Sequence, residues 1–558
     1  MSQGGPSTVK KFFRITSFYA LSLLTFAFLA LNCTKVTVTP TRYVSSSTKH
    51  LDRHINTVLK KEGIQPSGIS EDTEFLRRVH LDLTGKIPTP EQVLDFLKDG
   101  SPSKRQKKID QLLGSEVYVD YWTGLWVNWL IGRRGDNDDR SVGLTTWVQT
   151  ALTNNMPHNQ FVQELIAADG ELKDNGAGNY IMRYDRSPAV LTSHSSRLFL
   201  GLPMQCAECH DHKTEVWSQK DYYGIAAFFN GIESEQKGYI QTMDMAGNEK
   251  RMENFLITNK PRKSMWVERM DAEVSPRFLG GTEYKGSLTK RREALAQWMT
   301  DQSNPYFSRA IVNRIWKHFM GRAFVEPIDG FGEENPPTNP ELLDWLAEDL
   351  VIHDYDLQHL MRTILNSETY QRTSQTNKTN KDDEYYYSHA YMKPLSAEQF
   401  FYSLLQATGY ERLQEHRMRG FNRQGGEKRM EMLRELEGKK REHLEKFLFL
   451  LDNGEMEEIE AFNGTVPQAL MMINGNMVND SASHEERGSF VNDVLKRWRN
   501  PADRLEYIYL NVLSRLPTAK EKTYFQRYME RSLYDNKDRA YEDLYWVLLN
   551  SAEFSLNH

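Results

Sequence analysis

Apolar residues recur at spacings of three and four through most of the chain, which is the period of an amphipathic α-helix. One such helix has a clear start, because Thr89–Gln92 reads as a capping box with proline at the first helical position. Val93, Phe96 and Leu97 follow as its apolar face. Asn304 and Asn339, each followed by proline, predict two further helix starts of the same kind.

An aromatic stripe follows in the first half. It consists of Tyr118, Tyr121, Trp122, Trp126 and Trp129. Residues at this spacing share one helix face, and a face of large rings packs inward in most proteins. We therefore expect the stripe to form core, with the wall of a cofactor pocket as the alternative.

Helical periodicity fails between residues 233 and 286, where glycine, proline and short alternating runs favour strands. The predicted fold class is therefore mainly α, with helical domains at 49–232 and 287–558 joined by a small β-rich insert at 233–286. Residues 427–451 predict a heavily charged, exposed helix.

The bulk composition fits a soluble globular protein of more than one domain. The 558 residues are 39% hydrophobic and 26% charged, and the formal net charge is −6. A weakly acidic chain gives no reason to expect binding to nucleic acid. With three cysteines, the fold cannot depend on a disulfide framework.

The first residues resemble an export signal. Residues 1–32 combine an n-region of basic residues with an apolar stretch, as in a signal peptide, and Cys33 follows in a relaxed lipobox. We expect Cys33 to be acylated, residues 33–48 to form a tether, and the protein to face the periplasm or cell exterior as a membrane-anchored lipoprotein of the cell envelope. The alternative is an uncleaved N-terminal anchor with an ordinary core cysteine.

The remaining two cysteines form the motif Cys206-Ala207-Glu208-Cys209-His210, and His212 follows closely. C-x-x-C-H is the attachment signature of c-type haem, with two thioethers from the cysteines and an axial imidazole from the histidine. Three alternatives stay open: zinc bound with His210 or His212, a disulfide or redox-active thiol pair, and inert thiols. Export favours haem, since covalent attachment is completed outside the cytoplasm. His212 suits an outer-shell or metal-binding role.

Two groups of polar residues invite a catalytic or binding interpretation. Arg77, Arg78 and Asp82 lie close together on one predicted helix, where we expect a buried ion pair that fixes the helix end. Asn313, Arg314 and His318 share another helix, where we expect interdomain packing, with an anion- or sugar-binding patch as the alternative. We assign no catalytic residue.

Long motifs resemble the planctomycete-type PSCyt domain followed by the PSD domain, two domains of unknown function. The matching segments are Phe75–Gly85, Cys206–Lys213, Val312–Gly321, Asn339–Ala347 and Leu549–Phe554. The resemblance implies a cytochrome-like protein whose biochemical role is not established. Because this sequence has a single C-x-x-C-H, electron relay would need a redox partner protein.

We therefore expect electron transfer or redox sensing at the cell envelope, with one haem c and no stand-alone enzymatic activity. One alternative is a non-redox envelope protein whose motif holds structural zinc and whose second domain binds a glycan or partner. The other is a peroxidase-like enzyme, which needs an open sixth coordination position.

Overall fold

The computed structural model describes residues 44–132, 139–213, 215–243, 249–418, 476–531 and 537–558, together with positions 438, 440 and 444. The predicted signal peptide, Cys33, most of the tether and nearly all of the charged helix at 427–451 lie outside these residues. Residues Ser47–His558 form one compact unit.

Helices dominate the described chain, and the mainly α fold class is confirmed. The first group comprises α1 (Val44–Lys61), α2 (Asp72–Thr84), α3 (Pro90–Lys98), α4 (Lys104–Leu113), α5 (Glu116–Ile131), α6 (Asp139–Thr153), α7 (His158–Ala167), α8 (Gly178–Arg183), α9 (Pro188–Leu200) and α10 (Gln219–Phe229).

A second group follows the strands. It comprises α11 (Arg291–Met299), α12 (Phe307–Met320), α13 (Pro340–Ile352), α14 (Leu357–Leu365), α15 (Glu368–Gln371), α16 (Ala397–Thr408), α17 (Tyr410–Met418), α18 (Asn476–Ala482), α19 (Phe490–Arg497), α20 (Pro501–Leu513), α21 (Ala519–Arg531), α22 (Arg539–Leu549) and α23 (Ala552–Ser555).

Strands are few and short apart from one hairpin. The antiparallel strands β2 (Ile232–Met243) and β3 (Glu249–Asn259) pair along their length, and β1 (Gly170–Glu171) adds to the other edge of β3. A smaller hairpin joins β4 (Met265–Val267) to β5 (Ala272–Val274) through a 3₁₀ turn at Glu268–Met270. Finally, β6 (Lys393–Pro394) pairs with β7 (Leu556–Asn557).

The predicted helix starts have different outcomes. Thr89 forms the capping box and Asn339 caps α13, as expected. The start predicted at Asn304 is wrong by two residues, because Asn304 accepts a hydrogen bond from the Tyr306 backbone in a turn and α12 begins at Phe307. Leu97 is 37% exposed, so the apolar face of α3 rests on Val93 and Phe96.

The aromatic stripe of α5 packs inward, as predicted. Its five rings are buried, and Trp126 meets Trp129 edge-on with ring centroids 5.1 Å apart. They join a large apolar cluster that also takes side chains from α12, α13 and α14. Within the described ranges, every helix is too short or too polar to span a bilayer.

Helix α2 is buried on every side from Phe75 to Thr84. Phe75 and Val79 belong to the large cluster, whereas Leu81 joins a second cluster built by α16 and the helices from α18 onward. The helix therefore serves two hydrophobic cores at once, and its polar residues have no solvent to face.

Asp82 and the two arginines of α2 find their main hydrogen-bond partners in distant parts of the chain. Asp82 Oδ1 accepts hydrogen bonds from Lys393 Nζ at 2.9 Å and Asn557 Nδ2 at 2.8 Å. Asp82 Oδ2 accepts one from the hydroxyl of Tyr370 at 2.8 Å. Burial and the Asp82 charge raise the pKa of Tyr370, so this hydroxyl keeps the proton that it donates.

The two arginines of α2 bind mainly backbone carbonyls. Arg77 donates to the carbonyl of Phe554 at 2.9 Å, and Arg78 donates to that of Tyr370 at 2.6 Å. Arg78 also pairs with Glu74 at 2.8 Å. A buried ion pair does exist near the helix end, but it joins Asp82 to Lys393 of the second half.

Replacing Asp82 by alanine should lower the free energy of unfolding by about 3–5 kcal/mol, because the largely buried Lys393 ammonium then loses its counter-ion and Tyr370 its acceptor. Urea unfolding followed by tryptophan fluorescence measures this change. Asp382→Ala is the control, since the Asp382 side chain is 87% exposed and its removal should cost about 0.5 kcal/mol or less. Equal urea midpoints for the two variants would contradict the role assigned to the buried Asp82 carboxylate.

The glycine that ends α9 offers a second test. Gly201 has φ +67°, and a Cβ there would lie 2.4 Å from the ring of Phe331. Gly63 has φ +70° with nothing within 4 Å of its Cβ position. Both alanine variants incur the left-handed cost of about 1–2 kcal/mol, but only Gly201→Ala also overpacks, by about 1–3 kcal/mol more. The melting temperature of Gly201→Ala should therefore lie well below that of Gly63→Ala. The reverse order would contradict the packing of Phe331 against Gly201.

Candidate functional site

The C-x-x-C-H motif lies directly after α9, on a 3₁₀ turn. The turn spans Met204–Glu208, and the backbone N–H of Cys209 reaches the carbonyl of Cys206 at 3.3 Å. A 3₁₀ helix has three residues per turn, so residues three apart share one side. Met204 and Ala207 are buried, whereas Cys206 and Cys209 are exposed. The local fold thus anchors one side of the turn and presents both sulfurs on the other.

Both cysteines are free thiols in this structure. Their neighbour on the outer side is Arg269, from the 3₁₀ turn of the small hairpin, whose Nη1 donates to Cys209 Sγ at 2.6 Å. The electrostatic interaction with Cys209 is the main cause that raises the pKa of the Arg269 guanidinium. The sequence does not indicate Arg269 as a neighbour of the motif, because it lies 60 residues after Cys209 and only the hairpin brings it back.

The His210 side chain is exposed and has one ring nitrogen engaged. Its Nδ1 lies 2.8 Å from the carbonyl oxygen of Asp211. A carbonyl can only accept, so Nδ1 carries the hydrogen and, in the neutral ring, Nε2 keeps its lone pair. This is the tautomer that binds a metal through Nε2 while a backbone carbonyl orients the ring.

His212 has the opposite arrangement. Its Nδ1 accepts a hydrogen bond from the backbone N–H of Glu215 at 3.0 Å, and its own backbone N–H donates to Trp217 at 2.8 Å. A neutral ring whose Nδ1 is an acceptor carries its hydrogen on Nε2. The hydrogen bond therefore orders the loop and weighs against His212 as a ligand.

Helix α10 holds the other end of the turn. The carbonyl of Glu208 accepts hydrogen bonds from Tyr223 at 3.0 Å and from Gln219 at 3.3 Å. Asp211 in turn accepts one from the Gln219 backbone at 2.8 Å, in the first turn of α10. Burial raises the pKa of Tyr223, so its hydroxyl stays a donor. The turn and its histidine are thus fixed to a buried helix before any ligand arrives.

The second half of the chain supports the motif from behind. The backbone N–H of Phe331 donates to the Gly201 carbonyl at 3.0 Å. The backbone N–H of Glu333 donates to the Glu215 carboxylate at 3.1 Å. The side chain of Asp329 pairs with Arg314 and lies 3.6 Å from Arg197 on α9. Arg314 therefore pairs within the second half, and Asp329 connects that pair to Arg197 of the first half.

Its neighbours Asn313 and His318 on α12 also bind protein groups. Asn313 donates to the carbonyl of Val325 at 3.0 Å, and His318 Nε2 lies 2.9 Å from the carbonyl of Asp82. Of the quoted contacts, that of His318 joins the second half to the first, as expected, whereas the hydrogen bond of Asn313 stays within the second half.

The turn brings the candidate cofactor ligands together, and their side chains are of the types that bind haem or a metal ion. Cys206, Cys209 and His210 all lie on one short exposed segment, which could hold a covalently attached haem or, through sulfur and nitrogen, a soft metal ion. Cys33 lies outside the described residues. The assignments of all these residues, and the domain limits, stay predictions.

Two family models match the chain. Residues 50–234 match PSCyt2, a protein of unknown function (DUF1549), and residues 291–529 match PSD1, a protein of unknown function (DUF1553). Comparison with curated proteins and with solved structures gives no match. The two matches cover most of the sequence in the order expected from its motifs. The chain therefore belongs to the family in which a PSCyt2 segment precedes a PSD1 segment.

Proposed function

We propose that this protein is an exported lipoprotein that carries one c-type haem on Cys206, Cys209 and His210. Its role is electron transfer or redox sensing at the cell envelope. The observation that carries the proposal is the turn itself, which presents two free thiols on its exposed side with an imidazole directly after them. The hydrogen bond from His210 Nδ1 to Asp211 supports an axial role, because it leaves Nε2 for iron.

The surroundings of the turn suit a redox group. When bound, haem supplies a one-electron couple whose potential depends on axial ligand, charge and solvent exposure. Arg269 places a positive charge beside Cys209, and a nearby cation favours the reduced state of any group attached there. The exposure of both cysteines leaves an attached group accessible to a partner protein.

The rest of the proposal follows from the sequence. The apolar stretch before Cys33 supports export and acylation, so membrane lipid is one partner. A single haem needs a donor and an acceptor, so a redox partner protein is the other.

Zinc on the same motif, in a non-redox envelope protein, is the alternative function. Two thiolates and His210 suit zinc, but a fourth protein ligand from His212 conflicts with its hydrogen bond from Glu215. This geometry favours haem.

Intact mass of the mature protein tests the proposal. The wild-type chain is produced with its own export signal in a host that attaches haem to exported proteins. We expect the mass of the polypeptide plus one haem and acyl groups, and a sharp visible band on reduction. The Cys206→Ser/Cys209→Ser variant should lose the haem mass and the colour completely.

Two histidine variants separate ligand from bystander. His212→Gln should keep both the haem mass and the spectrum, whereas His210→Gln should keep thioethers but lose the spectrum of the wild type. A wild-type sample that is colourless, weighs only polypeptide plus lipid, and contains one zinc per chain would overturn the haem proposal in favour of the alternative.

A further inference from the structure

A second group of metal-ligating side chains lies far from the motif in sequence. Asp349, His353 and His359 each offer one ligand atom, and these atoms lie within 4.8 Å of one another. Asp349 is in the last turn of α13, His353 ends that helix, and His359 is in α14. The C-x-x-C-H motif contributes nothing to this group.

A tight turn between α13 and α14 assembles the group. Asp354 and Tyr355 both adopt left-handed backbone conformations, with φ of 54° and 57°. Tyr355 is nevertheless buried, and Asp356 caps α14 by accepting a hydrogen bond from the His359 backbone at 3.1 Å. The turn is therefore held by packing at its centre and by a cap at its exit.

The carboxylate of Asp349 is the centre of the group. Its Oδ2 lies 2.8 Å from His359 Nε2, and its Oδ1 accepts a hydrogen bond from the hydroxyl of Ser47 on α1 at 2.9 Å. His353 Nδ1 lies 3.6 Å from Oδ1. A buried carboxylate is thus held in place by two hydrogen bonds, beside two imidazoles.

We propose that Asp349, His353 and His359 bind one divalent transition-metal ion, with zinc as the best fit. Two imidazoles and one carboxylate are a ligand set that zinc takes readily, with water completing the coordination. Ser47 acts from outside the ligand shell by fixing Oδ1, which directs Oδ2 at the ion.

The ion takes the place of the hydrogen bond between His359 Nε2 and Asp349 Oδ2. Two ligand atoms of a tetrahedral zinc lie about 3.3 Å apart, given bond lengths near 2 Å. Nε2 and Oδ2 therefore separate by roughly half an ångström from their hydrogen-bonded distance when the ion enters. Binding of the ion through Nε2 requires the tautomer of the neutral His359 ring that carries its hydrogen on Nδ1.

Zinc binding also requires one ring to turn. The rings of His353 and His359 now stack, with centroids 3.7 Å apart and an interplanar angle of 17°. An ion bound to two imidazoles lies near the plane of each ring, which parallel stacked rings do not allow. His353 has to rotate about its Cβ–Cγ bond, and its side chain is 23% exposed, so solvent lies on one side of the ring.

Zinc titration of the full mature chain tests the proposal. It uses the Cys206→Ser/Cys209→Ser background, so that neither haem nor zinc at the motif contributes. After removal of metal with a chelator, calorimetric titration with zinc chloride should give one ion per chain at micromolar affinity or tighter. The melting temperature should rise with bound zinc.

Ligand variants in that background decide the assignment. His359→Ala and His353→Gln should each weaken zinc binding at least tenfold and abolish the thermal shift. His50→Gln is the matched control, because His50 stacks on Trp345 with centroids 4.2 Å apart, lies outside the trio, and should leave the affinity within twofold. If His359→Ala fails to fold by circular dichroism, His353→Gln decides, since that side chain is partly exposed.

Cobalt(II) provides an independent readout. The cobalt-loaded chain in the same background should show ligand-field bands without any thiolate-to-metal charge transfer, and the bands should disappear in His353→Gln. No saturable binding of zinc at micromolar concentration, or equal binding by the background chain and both ligand variants, would overturn the proposal. Neither result depends on haem, so this inference and the proposed function fail separately.

Discussion

The burial of a charged helix between two hydrophobic cores is the constraint on which the rest of the structure depends. Helix α2 has Asp82 and two arginines at positions that face no water. A buried ionised group is tolerated only when it is paired and hydrogen-bonded. The partners come from β6, from α15 and from the segment around Phe554, so these elements have to converge on α2. The charges thereby specify which parts of the second half pack against the first.

The candidate haem site depends on the same convergence. Its turn is supported by α10 from the first half, by Arg269 from the insert, and by the Phe331–Glu333 loop from the second. Cys206 and Cys209 nevertheless remain exposed. The turn is therefore supported on its buried side and accessible on the other, which suits an attached group that a partner protein must reach.

Local features of this fold could be predicted from the sequence because their causes are local. The cap at Thr89, the buried stripe of α5 and the strands after residue 232 each follow from side-chain type and spacing over a few residues. The cysteine turn also has a local cause, because two cysteines three residues apart fall on the same side of a 3₁₀ turn.

Contacts set by tertiary packing could not be predicted in the same way. The partner of Asp82 is 311 positions away, and Arg269 returns to the motif across a hairpin. The trio around Asp349 depends on a turn in which Asp354 and Tyr355 adopt left-handed backbone conformations. Neither residue is a glycine, so the sequence does not signal this turn. In the sequence these are ordinary polar residues, and only the packing of distant elements gives them a common location.

The pairing of β6 with β7 has a consequence for how the chain matures. Asn557 completes the hydrogen bonds of Asp82, although the ribosome makes it 475 residues later. Until Asn557 is in place, the buried Asp82 carboxylate lacks one of its three donors, and a buried charge with a missing partner is penalised. The packing of α2 between the two cores is therefore complete only when β7 has formed.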